Sequence, residues 1–340
     1  MRAAVLSAIG KPFQVAEVPK PVLGPGEVLV QTRACGLCRT DLHIQDGLAY
    51  IPDFPHISGH EPAGVVMELG EGVSQVNVGQ RVAPHLFLTC RQCVPCRSGR
   101  DAQCSHLRGV IGVTVHGGFA EYFKAPAQNL LPLPDSVSFE QGGLVSCAII
   151  TALHAYRRAR IAVGDVVVVL GAGGIGQILV PLLRSAGARV IALSRSSGSL
   201  ELARKEGAEL ALQLSDPNLH DRIRELNDGE GAHALFECVG TAATMHLASR
   251  CLRSGGQLVV IGEEPEFPAI DTIYIAQREL EIIGSRNGSV QDAADSLKLL
   301  AAGVIRPPIA GHYPLENINE ALERMRRGEA NGRLIITFDS

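Results

Sequence analysis

Nine cysteines, at positions 35, 38, 90, 93, 96, 104, 147, 238 and 251, give the chain its first chemical signal. Cys90, Cys93, Cys96 and Cys104 follow a C-x2-C-x2-C-x7-C spacing within a short lobe, about residues 88–106. Four thiolates gathered this way close a tetrahedron around Zn²⁺ and leave no position for water, so the site stabilises the fold and does no Lewis-acid chemistry. An iron–sulfur cluster is the rival occupant, and four unrelated thiols the bland alternative. Three further segments carry metal-ligating types: Cys35-Gly36-Leu37-Cys38-Arg39-Thr40-Asp41-Leu42-His43, Gly59-His60-Glu61-Pro62-Ala63-Gly64 followed by Gly70 and Val73, and Ser146-Cys147-Ala148. An odd cysteine count without a secretory leader argues against a disulfide framework.

A second kind of chemistry is written in Gly171-Ala172-Gly173-Gly174-Ile175-Gly176, which follows the apolar run Val166–Leu170 and opens a helical stretch. Between a strand and a helix, such glycines let backbone amides and the helix N-terminus approach a pyrophosphate. The end of the next strand, Arg189–Leu193, is where NAD-binding proteins carry an acidic residue for the ribose hydroxyls. Here the sequence reads Ser194-Arg195-Ser196-Ser197. No carboxylate is present to repel a 2′-phosphate, and a guanidinium with several hydroxyls suits a phosphate dianion. NADP(H) is therefore the expected cofactor, with NAD(H) as the alternative.

Together these segments resemble the zinc-containing medium-chain dehydrogenase/reductase family, in particular its alcohol dehydrogenases of the cinnamyl-alcohol-type or bacterial tetrameric branch. The segment Gly-His-Glu-x2-Gly-x5-Gly-x2-Val, beginning at Gly59, matches the family's zinc signature, and the resemblance runs the length of the chain. It implies two Zn²⁺ per chain: a catalytic ion held by Cys38, His60 and Cys147, and a structural ion held by Cys90, Cys93, Cys96 and Cys104. Glu61 stands beside or behind the catalytic ion, able to replace water transiently. Two thiolates and an imidazole leave a position open, where an alcohol can lose its proton near neutral pH. The alkoxide then transfers hydride to the nicotinamide; in reverse, a polarised aldehyde or ketone accepts it. By the same resemblance the Thr40 hydroxyl takes the substrate proton and passes it, through the cofactor ribose, to His43 near solvent. Asp41 orients His60. Thr151 packs under the nicotinamide, Val239 and Ile261 line it, and Arg333 reaches the pyrophosphate, while Gly171, Gly173, Gly174, Ile175, Gly176, Ser194, Arg195 and Ser196 hold the rest of the dinucleotide.

Read from the residues alone, His43 is equally a surface histidine, and Cys35, Cys238 and Cys251 are core side chains. A zinc-free enoyl or quinone reductase would not need the Cys38, His60 and Cys147 set. A polyol dehydrogenase tends to carry Glu where Cys147 stands. A non-catalytic zinc or redox-sensing protein is the reading from another class, and Thr40 and His43 speak against it.

The elements that must position these groups change character along the chain. The first third alternates short β-type runs, such as 27–31, 63–68 and 79–83, with glycine and proline, and reads as an irregular, largely antiparallel β domain. From about Ile150 strands and helices alternate: strands at 166–170, 189–193, 234–237 and 257–261, and helices at 200–206 and 243–252. That alternation marks a doubly wound parallel sheet. A helix near 290–302, a proline-bearing link, a helix near 317–327 and a last strand at 334–338 close the chain. The expected fold class is α/β: by resemblance a GroES-like irregular β-barrel catalytic domain, 1–150 and 290–340, plus a Rossmann domain, 151–289. The substrate is expected between them, in an apolar pocket with Leu86 and residues 48–51 as candidate lining.

Composition sets outer limits. With 46% apolar and 19% charged residues and a net charge of -4, the chain lacks the basic excess that nucleic acid or an anionic membrane surface would favour. The apolar stretch Val166–Leu183 has the length of a membrane span, but glycines interrupt it, and a buried strand, turn and helix explain it better. No charged n-region precedes a long apolar run at the start, so a cytoplasmic location is expected. Family analogy makes a homo-oligomer, a tetramer or a dimer, the expected assembly.

Overall fold

The structure, a computed structural model, describes residues 1–338. The last two residues of the expected 290–340 segment lie outside this range. The described residues form two compact units, one of residues 1–150, 288–303 and 308–338, the other of residues 151–287 and 304–307.

The first unit begins with the hairpin β1 (Arg2–Val5) and β2 (Gln14–Glu17), followed by β3 (Glu27–Gly36), β4 (Glu61–Leu69), β5 (Arg81–Pro84), β6 (Tyr122–Pro126) and β7 (Leu130–Pro132). The second unit contains β8 (Val166–Leu170), β9 (Arg189–Ser194), β10 (Leu210–Gln213), β11 (Ala232–Glu237), β12 (Leu252–Val260) and β13 (Glu281–Gly284). The chain then returns to the first unit with β14 (Ile309–Pro314) and β15 (Arg333–Thr337).

In the first unit the strands join in the order β14-β15-β3-β4-β5-β7, with β6 also on β3. The pairing is antiparallel except between β14 and β15. The sequence reading has only a proline-bearing link where β14 runs. Its short, half-buried Ile-Ala-Gly-His-Tyr-Pro run lacks the apolar alternation that marks a strand. A core of Val28, Val30, Val66, Phe119, Phe123 and Ile336, among others, fills this unit.

In the second unit all six strands are parallel, in the order β10-β9-β8-β11-β12-β13. Sequence order reverses between β8 and β11, and such a switch point leaves a crevice beyond the strands' carboxyl ends where ligands bind. Val166–Leu170 is buried throughout, which is why it reads as an unbroken apolar run without alternation. The membrane-length stretch thus resolves into β8, a glycine turn and the helix Gly176–Ser185. No helix among the described residues is long and apolar enough to cross a membrane.

Candidate metal centres and dinucleotide site

The end of β3 and the helix Arg39–Asp46 deliver the first ligand type, Cys38, and the start of β4 delivers His60 and Glu61. Cys147 lies between a short 3-10 turn, Leu144–Ser146, and the helix Ala148–Arg158. One ligand atom from each of Cys38, His60, Glu61 and Cys147 lies within 4.8 Å of every other. The sequence separation of these residues means that only the folded first unit can assemble them.

Local hydrogen bonds hold the group in place. Asp41 Oδ2 accepts the Cys38 backbone N–H at 2.8 Å and fixes the first turn of the helix. The other oxygen, Oδ1, faces His60 Nδ1 at 3.4 Å, and both side chains are buried. Thr40 Oγ1 stands 3.8 Å from Cys38 Sγ. Glu61 Oε2 accepts from the Arg333 guanidinium, and both members of this ion pair are buried. The sequence reading sends Arg333 toward the pyrophosphate; in the structure one of its terminal nitrogens is engaged by Glu61. His43 is only 7% exposed, not near solvent, because Asp41, Leu42, His43 and Ile44 are all buried along the helix. Leu86 is buried, whereas Leu48 and Ile51 are exposed.

The donor set fits a divalent cation. His60 Nε2 and Glu61 Oε1 are buried and make no hydrogen bond to protein, an arrangement that costs free energy unless something binds there. A hydrogen bond shared with Cys147 holds the Cys38 thiol well below its ordinary range against the opposition of burial, while the same bond and burial push Cys147 up. Burial disfavours a charged His60 ring, but Asp41 and Cys38 outweigh it and raise the ring's pKa. Burial lifts Glu61 to about 7, with Arg333 opposing. Protons are thus shared within a crowded set, where a metal ion would replace them.

The four cysteines of the lobe also converge. Sγ–Sγ distances are 3.4 Å for Cys93–Cys96, 3.6 Å for Cys104–Cys90, and 3.9 Å for both Cys90–Cys96 and Cys93–Cys104. A tetrahedron with Zn–S bonds of ~2.3 Å has edges of about 3.8 Å, so the spacing is that of a metal cage. It is far from a disulfide, and all nine cysteines are free. Backbone amides of Gln92, Cys93 and His106 point at the Cys90 and Cys104 sulfurs. Hydrogen bonds from the Cys96 and Ser105 amides bring Cys93 down to about 6, whereas burial and its neighbouring thiols push Cys96 up to about 12. Four thiolates this close need a cation to ionise together.

In the second unit, β8 runs into the glycine turn. Gly171 has a φ of +97°, and a Cβ on Gly176 would lie 2.2 Å from the Gly171 carbonyl oxygen, so the turn closes only with glycine there. Ser194 ends β9 and its hydroxyl accepts from Ser196 N at 3.1 Å, while Ser196 caps the helix Ser197–Lys205. Arg195 between them is exposed. Gln177 Nε2 donates to the carbonyls of Ala172 and Ser199, tying the glycine turn to that segment. Val239 lies beside Gly171, and Thr151 and Ile261 are buried.

Three features escape the sequence reading. Asp101, inside the cysteine lobe, accepts Val290 N–H at 3.0 Å and so adds a second acceptor to the start of the helix Val290–Ala301. The Arg333–Glu61 pair joins residues too distant to be matched from sequence. Glu237 is an acid at the end of an apolar strand, and that is the one signal the sequence offers for it.

Family comparisons agree with this geometry. Residues 24–135 match the family model "Alcohol dehydrogenase GroES-like domain" and residues 174–302 match "Zinc-binding dehydrogenase". An alcohol dehydrogenase of Geobacillus stearothermophilus is 36% identical over 344 residues, covering 100% of both chains. The chain belongs to the zinc-containing medium-chain alcohol dehydrogenase family. Among solved structures, the alcohol dehydrogenase of Aeropyrum pernix superposes with a TM-score of 0.92 at 30% identity, covering 99% of this chain and 100% of the other. An acetophenone reductase from Geotrichum candidum in complex with NAD superposes with a TM-score of 0.90 at 30% identity, covering 99% and 97%. This member of the family is an NAD(P)-dependent alcohol dehydrogenase or carbonyl reductase that depends on zinc and acts on small molecules. The GroES-like and Rossmann architecture expected from the sequence is the architecture found.

Proposed function

We propose that this enzyme interconverts alcohols with aldehydes or ketones using NADP(H) in preference to NAD(H), with two zinc ions per chain. The convergence of Cys38, His60, Glu61 and Cys147 carries the catalytic half of the reading, and the spacing of Cys90, Cys93, Cys96 and Cys104 carries the second ion. When bound, zinc at the first set supplies Lewis-acid polarisation of the substrate oxygen, and the dinucleotide supplies or accepts hydride.

The chain's own residues do the rest. Asp41 secures Cys38 through its backbone N–H and faces the ring of His60, so one carboxylate sets two ligand side chains. The Thr40 hydroxyl, next to the Cys38 sulfur, takes the proton that the alcohol must lose, and His43 receives it further along. Arg333 neutralises Glu61 in a buried pair, so that the carboxylate adds little net charge behind the ligands.

The cofactor preference rests on Ser194, Arg195 and Ser196. They put a cation and hydroxyls, and no carboxylate, at the end of β9, where a 2′-phosphate would lie. The free thiols suit a reducing compartment such as the cytoplasm. A homo-oligomer is supported by the edge strand β13, where Ile282 is exposed, and by exposed Ile270 and Ile273 in the same unit.

The test is a screen of primary, secondary, aromatic and polyol substrates against both cofactors. Turnover with a higher kcat/KM for NADP⁺ than for NAD⁺ is expected; the reverse order contradicts the cofactor assignment. Absence of turnover on every alcohol and carbonyl contradicts the assigned residue roles.

A further inference from the structure

The mechanism above leaves one buried acid of the second unit unused. Glu237 is the last residue of β11, on the β8/β11 switch point, and is wholly buried. Its carboxylate accepts backbone N–H bonds from Val239 at 3.1 Å and from Gly240 at 3.0 and 2.9 Å. Its main-chain carbonyl accepts the N–H groups of Ile261 and Gly262, both at 2.9 Å. One residue therefore gathers the backbones of two loops that leave neighbouring strands, 238–240 and 261–262.

The surroundings make those loops interdependent. Cys238 N–H is held by the Leu170 carbonyl at the end of β8. A Cβ on Gly262 would lie 2.3 Å from Gly240 N, and one on Gly171 would lie 2.7 Å from Val239 Cγ2. The Val239 side chain is thus packed onto the glycine turn, while Glu237 restrains its peptide from below. Glu237 belongs to neither candidate metal group among the described residues; the partners of its carboxylate are backbone amides.

We propose that Glu237 is a positioning residue for the nicotinamide half of the cofactor, its carboxylate acting through Val239. This rests on the reading above that the Val239 side chain lines the nicotinamide. A rigid lining orders the ring before binding and lowers the conformational cost of holding it. Loss of the carboxylate would free the Val239–Gly240 peptide and weaken the nicotinamide half, leaving the adenosine half at the end of β9 untouched.

The experiment measures calorimetric affinities of the zinc-loaded full chain for NADPH and for 2′,5′-ADP, which carries only the adenosine half. Glu237→Gln should raise the Kd for NADPH about tenfold while changing that for 2′,5′-ADP less than about twofold. In a Val239→Ala background the same substitution should cost no more than about twofold, because its effect passes through the missing side chain. If Glu237→Gln lowers Tm, Glu237→Asp, which keeps a carboxylate near Gly240, carries the comparison instead. Equal weakening of both ligands, or full additivity with Val239→Ala, overturns the assignment. A wild type that binds NADH and 5′-AMP but not 2′,5′-ADP refutes the NADP(H) preference alone, and the same comparison then decides on Glu237 with that pair. A wild type that binds no dinucleotide refutes the proposed function and this assignment with it.

Discussion

Replacing Arg195 by Ala, and separately Ser194 by Asp, should invert the cofactor preference without disturbing the fold. Arg195 is exposed at the end of β9 and enters no ion pair among the described residues, so its removal strands no partner. A charge-assisted hydrogen bond to a phosphate contributes about 1.5–3 kcal/mol. Arg195→Ala should therefore lower kcat/KM for NADP⁺ by about 10- to 150-fold. NAD⁺, which has no 2′-phosphate, should change by no more than about twofold. Ser194 accepts from Ser196 N at 3.1 Å, a bond that an Asp side chain can also accept, so the turn survives the second substitution. A carboxylate about 5 Å from a phosphate dianion is repelled by about 1.7 kcal/mol even at the dielectric of bulk water. That is roughly a seventeenfold loss with NADP⁺, while NAD⁺ gains an acceptor for its ribose hydroxyls. Initial rates at saturating alcohol with each cofactor measure both effects. Raising the salt concentration should shrink the Arg195 effect, because the group is exposed and screened. Equal losses with both cofactors, or an unaltered ratio in both variants, would refute the reasoning.

Other expectations concern the relay, the lobe and acid stability. Thr40→Ala should reduce kcat by a factor of about 10² or more, with Thr40→Ser restoring most of it; steady-state rates decide, and equal activity of the Ala variant removes Thr40 from the relay. Asp101→Asn should weaken the start of the helix Val290–Ala301 by about 1 kcal/mol. Denaturant titration reads this loss, and amide exchange at Val290 should speed up with zinc content unchanged. Burial, aided by His116, brings His56 down to about 4. The unfolded chain therefore takes up this proton from about pH 6.5 and the folded chain only near pH 4. The stability His56 contributes is complete above that window and falls through it by about 3 kcal/mol on acidification. A His56→Gln variant should show a correspondingly flatter loss between those pH values; an identical acid profile would exclude His56 as its source.

What the sequence reveals follows from how locally each feature is encoded. Cys90, Cys93, Cys96 and Cys104 lie within fifteen residues, and the glycine turn follows directly on a buried valine strand, so spacing alone exposes both. Cys38, His60 and Cys147 carry no such local pattern and were legible only through the family resemblance. Partnerships across long separations were not legible at all: Arg333 with Glu61, and Asp101 with Val290, depend on where β15 and the helix Val290–Ala301 pack. The buried state of His43 is hidden from the sequence for the same reason, since helix 39–46 buries a run of four residues that no periodicity announces. Strand β14 and the edge strand β13 leave no mark in the sequence because short, half-exposed runs lack a hydrophobic signature.

Metal content determined alongside alcohol-dependent nicotinamide reduction tests the central claim most directly, through graded removal of zinc from the purified enzyme. Two zinc ions per chain are expected, one for each side-chain cluster. Activity should follow the ion bound by Cys38, His60 and Cys147, and Tm the ion in the cysteine lobe. Full turnover after complete removal of zinc, or a protein that holds both ions yet oxidises no alcohol and reduces no carbonyl, would contradict it.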